Sequence, residues 1–278
     1  MAQVSPVPEL VSGLVSLALR AGRVILDIYA TDFSVSEKAD ASQVTQADRD
    51  AEALILEGLA RLYPDIPVVA EEEAAAGRIP DAGTRFFLVD PLDGTREFVS
   101  RNGEFTVNIA LIEQGAPSAG VVYAPALGVL YAGAVGSGAW KGEVRDDRLA
   151  SLAPIKVRNA PARLSAIGSR SHGTVETSDW LGQFQVDSFV AAGSSLKFCL
   201  LAEGAADLYP RLGRTMEWDT AAGDAVLRAA GGVVTTMDGR PLTYGRCLQA
   251  GEAPFANPHF VAYGDRNLVR PSSARAGG

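Results

Sequence analysis

The stretch at residues 90–95, Asp-Pro-Leu-Asp-Gly-Thr, is the part of the sequence that most limits how this chain can fold. It follows an apolar run at 86–89 that is typical of a buried strand. Because Pro91 has no N–H to donate to a neighbouring strand, the strand is predicted to end at Asp90. Asp90 and Asp93 would then repel each other on one turn, and a cation between them is the natural resolution.

Two further residues of this stretch suit a phosphate site. Gly94 permits the sharp turn that follows the strand. Thr95 adds a hydroxyl that is well placed to hold a water molecule. Hard oxygen ligands at a strand end, with a hydroxyl beside them, predict magnesium and phosphate chemistry.

Composition and charge narrow the class of protein. Of the 278 residues, 47% are hydrophobic and 21% are charged, which is ordinary for a globular chain with a sizeable core. The formal net charge of −8 argues against a nucleic acid polymer as partner, although a small phosphate ester can bind where metals supply positive charge. Cys199 and Cys247 are far apart, so neither a disulfide framework nor a zinc site is indicated.

No targeting segment is predicted. Residues 1–10 lack the basic start and the uninterrupted apolar core of a signal peptide. The most apolar early segment, 11–30, is interrupted by Arg20 and Arg23, which indicates an amphipathic helix and not a membrane span. The expected location is therefore cytoplasmic.

Hydrophobic periodicity predicts a mixed α and β chain. A helix is predicted at 11–29, and Thr45 is placed to cap a second at 46–62. Between them, 34–45 is either a loose loop or a short hairpin. Further strands are predicted at 67–70, 85–89, 106–113, 119–124, 129–134, 138–141, 164–168, 185–190 and 206–209, and further helices at 195–203 and 219–230. The order indicates an antiparallel or mixed sheet, not regular βαβ repeats.

The charged and loop-like segment 145–154 is the predicted boundary between two halves. The N-terminal half, 1–150, would carry most of the candidate metal ligands. The C-terminal half, 151–269, would carry Asp219 and the substrate contacts. The tail at 270–278 is rich in small residues and arginine and is predicted to be disordered.

Acidic residues outside the 90–95 stretch complete a candidate site. Glu71 and Glu72 follow an apolar strand end. Asp219 lies at the start of one predicted helix, and Asp48 lies in the first turn of another. Each acid on its own would be read as a solvated charge or a helix cap. For the 90–95 stretch that interpretation is weaker, because its turn-forming residues and the spacing of its two carboxylates both fit the binding of a cation.

Three segments together resemble the signatures of the inositol monophosphatase superfamily, whose members are magnesium-dependent, lithium-sensitive phosphomonoesterases. They are Glu71-Glu72, the 90–95 stretch and Trp-Asp-Thr-Ala-Ala-Gly at 218–223. Further segments are similar to the CysQ type of 3′(2′),5′-bisphosphate nucleotidase: 101–112, 120–125, 169–172, 193–200 and 208–211. The resemblance covers about residues 11–261.

The resemblance implies a fold of the α+β class. It is an αβαβα layered sandwich, with mixed or antiparallel sheets between helix pairs. The active site would lie between the two halves of the chain.

The resemblance also implies two to three Mg²⁺ ions per active site. One ion would be held by Glu71, Asp90 and the backbone carbonyl of Leu92. The second would be held by Asp90, Asp93 and Asp219, with Asp90 as the bridge. A third, weaker ion near Glu71 is usual in the family.

Other residues match supporting roles in the family. Thr95 and Asp48 match the pair that orients and deprotonates the nucleophilic water, and Glu72 matches an acid that supports the metal ligands. Since a metal lowers the pKa of its water to near neutral, no strongly basic side chain is required. The N–H groups of Gly94 and Thr95 are placed to grip the phosphate, as turn nests do.

The nucleotidase branch has a further set of matching residues around its nucleotide. Here they are His172, Gly193, Ser194, Lys197 and Arg211. Lys197 or Arg211 could neutralise the phosphate that is not cleaved. Inositol phosphatases usually carry an acid about seven positions before the aspartate of the Trp-Asp motif, where it holds ring hydroxyls. Leu212 occupies that position here, which favours a substrate with a second anion.

The sequence therefore predicts a phosphatase that converts adenosine 3′,5′-bisphosphate to AMP and phosphate. Sulfate assimilation produces this bisphosphate, so the enzyme would recycle it. An inositol or sugar phosphatase of the same superfamily is the alternative, and a non-catalytic nucleotide-binding protein is a third. The expected partner is a small nucleotide bisphosphate. The resemblance leaves open a monomer or a homodimer, and peripheral association with the inner membrane.

Overall fold

The computed structural model describes residues 7–37, 43–168, 175–245 and 253–270. In these ranges the helices are α1 (Glu9–Tyr29), α2 (Gln46–Leu62), α3 (Glu71–Ala75), α4 (Thr95–Val99), α5 (Val175–Leu181), α6 (Leu196–Ala202) and α7 (Glu217–Ala229). The strands are β1 (Val35–Glu37), β2 (Gln43–Thr45), β3 (Val68–Ala70), β4 (Arg85–Asp93), β5 (Thr106–Glu113), β6 (Ala116–Ala124), β7 (Val129–Ala134), β8 (Gly138–Arg145), β9 (Arg148–Ile155), β10 (Leu164–Gly168), β11 (Val186–Ala191), β12 (Leu208–Arg211), β13 (Val233–Thr236) and β14 (Phe260–Tyr263).

The elements stack as five layers of alternating helices and sheets. Helices α1 and α2 cover one face of a sheet formed by β3 to β9, and α7 covers the other face together with α6. The second sheet packs on the far side of α6 and α7, and α5 lies against its outer face. This arrangement confirms the predicted αβαβα sandwich, with α5 alone, in the described ranges, forming the last helical layer.

The first sheet has the order β3-β4-β5-β6-β7-β8-β9, and its strands are antiparallel except for the parallel pair β3 and β4. Along β4, Phe87 and Val89 face the layer of α1 and α2, whereas Phe86 and Leu88 face α6 and α7. Because both faces are covered, the strand is a continuous apolar run and not an alternating one.

The second sheet has the order β11-β10-β12-β14-β13 within the described residues. Strands β11, β10 and β12 run parallel, and β14 is antiparallel to both β12 and β13.

Helix α7 lies between the two sheets and is buried on nearly all sides. Two glycines of the first sheet allow it to approach closely. A Cβ on Gly120 would lie 2.8 Å from the carbonyl oxygen of Ala222, and one on Gly133 would lie 2.8 Å from the Cα of Val226. This close packing sets the N-terminus of α7, which carries Asp219, beside the end of β4.

Two predictions about strands were wrong. Strand β4 does not end at Asp90 but continues to Asp93, because a bulge absorbs Pro91 and pairing resumes beyond it. Segment 145–154 is not a loop but contributes most of β9, an exposed edge strand whose ladder with β8 is set by long-range pairing. Strand β9 crosses the predicted boundary at residue 150, and the division into two halves stays a prediction.

Other local predictions were confirmed. Helices α1 and α2 lie where periodicity placed them, and Thr45 caps α2 by accepting a hydrogen bond from the N–H of Ala47 at 3.1 Å. The segment before α2 forms the short hairpin of β1 and β2. The predicted disordered tail lies outside the described residues beyond Arg270. None of the described helices is both long and apolar enough to cross a membrane.

Candidate active site

The bulge in β4 shapes the acidic turn. Asp90 pairs with Asn108 and Asp93 with Thr106, so three steps along β4 match two along β5. The side chain of Asp90 closes the bulge, since its Oδ1 accepts a hydrogen bond from the N–H of Leu92 at 3.0 Å. Of the two carboxylates, that of Asp93 lines a cavity at this end of the sheet.

Gly94 makes the turn that follows. Its φ of 91° lies in the left-handed region, and an added Cβ would lie 2.2 Å from the Oγ of Ser194. Helix α4 begins immediately after it at Thr95. The first N–H groups of a helix have no acceptor within the helix, so this turn presents donors to the site.

Asp93 is held by two buried polar residues. Its Oδ2 accepts hydrogen bonds from the Oγ of Ser195 at 3.1 Å and from the Nδ2 of Asn108 at 3.4 Å. The pKa of Asp93 is raised to about 6, chiefly by burial and in part by the charge of Glu97, while Lys197 and the two hydrogen bonds oppose the shift. Asp93 is therefore a carboxylate that lacks sufficient compensating charge.

Asp219 lies in the first turn of α7. Its Oδ2 accepts a hydrogen bond from the N–H of Met216 at 2.7 Å, which caps the helix. Burial raises the pKa of Asp219 well above its ordinary value, and the charges of Asp93 and Glu71 raise it further. These three predicted ligands therefore influence one another electrostatically.

Glu71 is the first residue of α3 and directly follows β3. Strand β3 pairs in parallel with β4, which brings Ala70 opposite Val89 at the edge where Asp90 lies. Glu72 follows on the same short helix, and its backbone N–H is bound by Glu52 of α2 at 2.8 Å.

Asp48 and Thr95 are brought together by the fold. One carboxylate oxygen of Asp48, Oδ2, accepts hydrogen bonds from the N–H and the Oγ1 of Thr45 at 2.8 and 2.7 Å. The other, Oδ1, accepts a hydrogen bond from the Oγ1 of Thr95 at 3.3 Å. Asp48 therefore caps α2 and contacts the acidic turn at the same time.

The acids fit a hard cation by their chemistry. In the described part of the chain, no three His, Cys, Asp or Glu side chains lie close enough together to enclose a metal as they stand. Within the same residues neither Asp93 nor Asp219 has an ion-pair partner. Oxygen ligands with raised pKa values and no paired charge suit Mg²⁺.

Two adjoining cavities, of about 130 and about 430 Å³, share Asp219 and Thr215 as walls. The smaller is lined by Asp93, Lys197 and Arg211, and the larger by Glu71 and the start of α7. Together they form a cleft of the size that accommodates a small molecule.

Two cations line the smaller cavity opposite the acids. Lys197 is 7% exposed, and its Nζ donates to the carbonyls of Ala192 and Ser194 at 3.3 and 2.6 Å, not to a carboxylate. The pKa of Lys197 is lowered to about 8, chiefly by burial and in part by the charge of Arg211, while Asp93 opposes the shift.

Arg211 also has unused donor capacity. Its Nη2 donates to the carbonyl of Arg214 at 3.1 Å, but its buried Nε has no hydrogen-bond partner in the described residues. A buried guanidinium nitrogen without an acceptor is costly in a folded protein, and an anion in the cleft would satisfy it.

The other predicted substrate residues have structural partners. The N–H of Gly193 donates to the Oε2 of Glu104 at 2.9 Å. The Oγ of Ser194 lies 2.9 Å from the carbonyl of Asp93 and 2.7 Å from that of Glu104. These contacts join the loop before α6 to the acidic turn. His172 lies outside the described residues.

Sequence reasoning missed several residues that support the site. The Nδ2 of Asn108 donates to the Oγ of Ser195 at 2.9 Å as well as to Asp93. The Oγ of Ser195 lies 3.1 Å from the Oδ2 of Asp93 and 2.7 Å from the carbonyl of Asp219, and its one hydrogen serves either acceptor. The signal for Asn108 is a polar residue inside the apolar run of β5. Glu52 could have been found from its position four residues after Asp48 on the same helix face.

Known proteins with similar sequences identify the family of the chain. The model of the inositol monophosphatase family matches residues 7–263. The 3′(2′),5′-bisphosphate nucleotidases CysQ of Shigella flexneri and Escherichia coli K12 are 47% and 46% identical to the chain over 246 residues, covering 88% of this chain and 95% of each relative.

Solved structures give the same result. CysQ from Bacteroides thetaiotaomicron, a bacterial member of the inositol monophosphatase family, matches with a TM-score of 0.77 and 38% identity, covering 92% of this chain and 97% of that one. An IMPase from Thermotoga maritima matches with a TM-score of 0.72 and 25% identity, covering 92% of both chains. The predicted resemblance is confirmed, and the chain belongs to the inositol monophosphatase family, a family of phosphatases.

Proposed function

We propose that this protein is a magnesium-dependent phosphomonoesterase that hydrolyses adenosine 3′,5′-bisphosphate to AMP and phosphate. The observation that carries the substrate assignment is the pair of cations, Lys197 and Arg211, that lines the cleft together with Asp93 and Asp219. A substrate with two phosphates would place one at the acids and the other at the cations. The relatives named as CysQ bisphosphate nucleotidases support the same assignment.

The metal ligands proposed are Glu71, Asp90, the carbonyl of Leu92, Asp93 and Asp219. Bound Mg²⁺ would supply Lewis acidity toward the phosphoryl oxygens and lower the pKa of a coordinated water. The side chains of Asn108 and Ser195 hold the carboxylate of Asp93 in the cleft.

Asp48 and Thr95 are the proposed proton-accepting pair. Thr95 Oγ1 donates its hydrogen to Asp48 Oδ1, so its oxygen lone pairs are available to accept a hydrogen bond from water. A proton leaving that water can pass to Thr95 as Thr95 passes its own to Asp48. The N–H groups of Gly94 and Thr95 would meanwhile bind phosphoryl oxygens.

Lys197 and Arg211 are proposed to bind the phosphate that stays on the product. Arg211 offers an unpartnered Nε, and Lys197 can turn its ammonium from backbone carbonyls to an anion. An inositol phosphate has no second anion for these cations. The protein would instead have to leave two desolvated positive charges uncompensated, which disfavours that substrate.

Charge removal at these two positions tests the proposal. Lys197→Met and Arg211→Met should each lower kcat/KM for adenosine 3′,5′-bisphosphate on the order of 100-fold, equivalent to about 3 kcal/mol. Hydrolysis of a simple phosphate monoester, such as 4-nitrophenyl phosphate, should change less than about threefold. The matched control is Lys156→Met, which removes one exposed lysine charge. Equal losses on both substrates would count against a second-phosphate site.

A further inference from the structure

Glu52 is a buried acid with no role in the chemistry described above. It lies on α2 one turn after Asp48, and only 3% of its surface is exposed. Residues four apart on a helix share a face, so Asp48 and Glu52 both point from α2 toward the site end of the first sheet.

Both carboxylate oxygens of Glu52 are used. Oε2 accepts a hydrogen bond from the backbone N–H of Glu72 at 2.8 Å, and Oε1 accepts one from the N–H of Glu73 at 3.0 Å. These N–H groups belong to the first turn of α3, where a helix has no internal acceptors. Hydrogen bonds to an ionised carboxylate are stronger than those between neutral groups.

Helix α3 is short, and its first turn has no side-chain cap of its own. It has five residues, none of them buried, and Ala70 at its N-cap has no side-chain oxygen to bind the first turn. Glu52 therefore does for α3 what a capping residue does, but from another helix. The peptide next to Glu71 is thereby tied to α2.

We infer that Glu52 is a positioning residue that fixes the start of α3 so that the carboxylate of Glu71 is oriented for metal binding. This inference rests on the proposed function, which makes Glu71 a metal ligand. Through Asp48 and Glu52, α2 holds the proton acceptor and a metal ligand in one rigid relationship.

The cost of burying Glu52 is consistent with this role. Its pKa is raised to about 7, chiefly by burial and in part by the charges of Glu72 and Glu73, while the two N–H donors oppose the shift. A buried carboxylate close to other acids is a poor choice for stability alone. Its geometry toward the two N–H groups gives it a positional purpose.

Amide hydrogen exchange on the metal-free full chain tests the contact without relying on activity. Glu52→Gln keeps one acceptor oxygen but turns an amide N–H₂ toward the other backbone N–H. Whichever of the Glu72 and Glu73 amides loses its acceptor should then exchange about tenfold faster or more, while the amides of α1 stay unchanged. Unchanged exchange at both amides would overturn the inference.

Calorimetric titration with Mg²⁺ tests the consequence. Glu52→Gln should weaken Mg²⁺ binding about 10- to 100-fold, the usual effect of losing a group that orients a ligand. Glu52→Asp keeps the carboxylate on a side chain that is shorter by one methylene, and its affinity for Mg²⁺ should lie between those of the wild type and Glu52→Gln. Glu57→Gln, an exposed change on the same helix, is the matched control and should bind as the wild type does.

Glu71→Gln separates the two proposals. If Glu71→Gln loses Mg²⁺ affinity while Glu52→Gln binds within twofold of wild type, the positioning role is wrong and the ligand set stands. If Glu71→Gln binds Mg²⁺ normally, the proposed ligand set itself fails. If Glu52→Gln does not fold, amide exchange and Mg²⁺ titration are both measured on Glu52→Asp. Wild-type amide exchange together with wild-type Mg²⁺ affinity in that variant would contradict the inference.

Discussion

The Oγ1 of Thr95 donates a hydrogen bond to the Oδ1 of Asp48 at 3.3 Å, joining residues that are 47 positions apart in the chain. Asp48 is fixed on its other side by Thr45, as part of the N-terminal cap of α2. The same carboxylate therefore secures a helix and reaches the acidic turn. A cap residue is rigid, and rigidity suits a group that must accept a proton at a defined place.

Removing the hydroxyl of Thr95 should disable catalysis without unfolding the chain. Thr95→Ala leaves the α2 cap intact but removes the relay to Asp48, so kcat is expected to fall about 10²- to 10⁴-fold. Steady-state kinetics with adenosine 3′,5′-bisphosphate measures this change. Thr95→Ser keeps the hydroxyl and should retain most activity; a Thr95→Ala enzyme with wild-type kcat would exclude the relay.

Most of the fold could be predicted from local patterns, but the exceptions have a common cause. Helices such as α1 could be predicted from their hydrophobic periodicity. Strands β5 to β8 could be predicted from apolar runs that are separated by turn residues. Strand β9 is exposed and begins at the charged turn 145–148, so its own residues do not distinguish it from a loop. Pairing with β8 makes it a strand. Helices α3 and α4, at five residues each, are too short for periodicity to show.

The residues of the candidate site likewise divide into those that local sequence predicts and those that it does not. Motif residues such as Asp90 and Asp93 could be predicted because their spacing along the chain carries the chemistry. The groups that hold them could not, since Ser195 reaches Asp93 from 102 residues away. The effect of Pro91 was predicted wrongly because a bulge allowed β4 to continue beyond it.

Substituting Gly94 should destabilise the fold at the turn. Gly94→Ala combines a φ of 91° with a Cβ 2.2 Å from the Oγ of Ser194, which its own hydrogen bonds hold in place. We expect a loss of about 2–4 kcal/mol in the free energy of unfolding, measured with urea.

Gly136→Ala is the matched control for this change. Gly136 has a φ of 85° but nothing within 4 Å of an added Cβ, so it carries the backbone strain without the clash. Gly136→Ala should therefore lower the free energy of unfolding by only about 1 kcal/mol. Equal losses for the two variants would mean that close packing on Ser194 does not limit residue 94.

The low pKa of Lys197 predicts a pH limit on substrate capture. Because that pKa is about 8, the free enzyme loses the ammonium charge as the pH rises through 8. The value of kcat/KM for the bisphosphate should therefore fall above pH 8, since this constant reports ionisations of the free enzyme. Lys197→Arg stays charged and should move the fall to higher pH. An identical pH profile for this variant would rule out Lys197 as its origin.

Magnesium should stabilise the fold through Asp219. A ligand that binds only the folded state raises its stability, so saturating Mg²⁺ should raise Tm by roughly 5–10 °C relative to a chelator. Asp219→Asn keeps an acceptor for the N–H of Met216 but removes a ligand charge, and the Mg²⁺-dependent rise should largely disappear. Asp65→Asn, a change at an exposed turn, is the control and should keep the full Mg²⁺-dependent rise in Tm. The same full rise in Tm for Asp219→Asn would show that Asp219 is not a metal ligand.

The most direct measurement is phosphate release by the wild-type enzyme from adenosine 3′,5′-bisphosphate and from inositol 1-phosphate, at limiting substrate, with Mg²⁺, with chelator, and with added Li⁺. We predict Mg²⁺-dependent, Li⁺-inhibited release, with kcat/KM for the bisphosphate on the order of 100-fold above that for the inositol phosphate. Equal or faster hydrolysis of inositol 1-phosphate would contradict the nucleotidase assignment, and full activity in chelator would contradict the metal site.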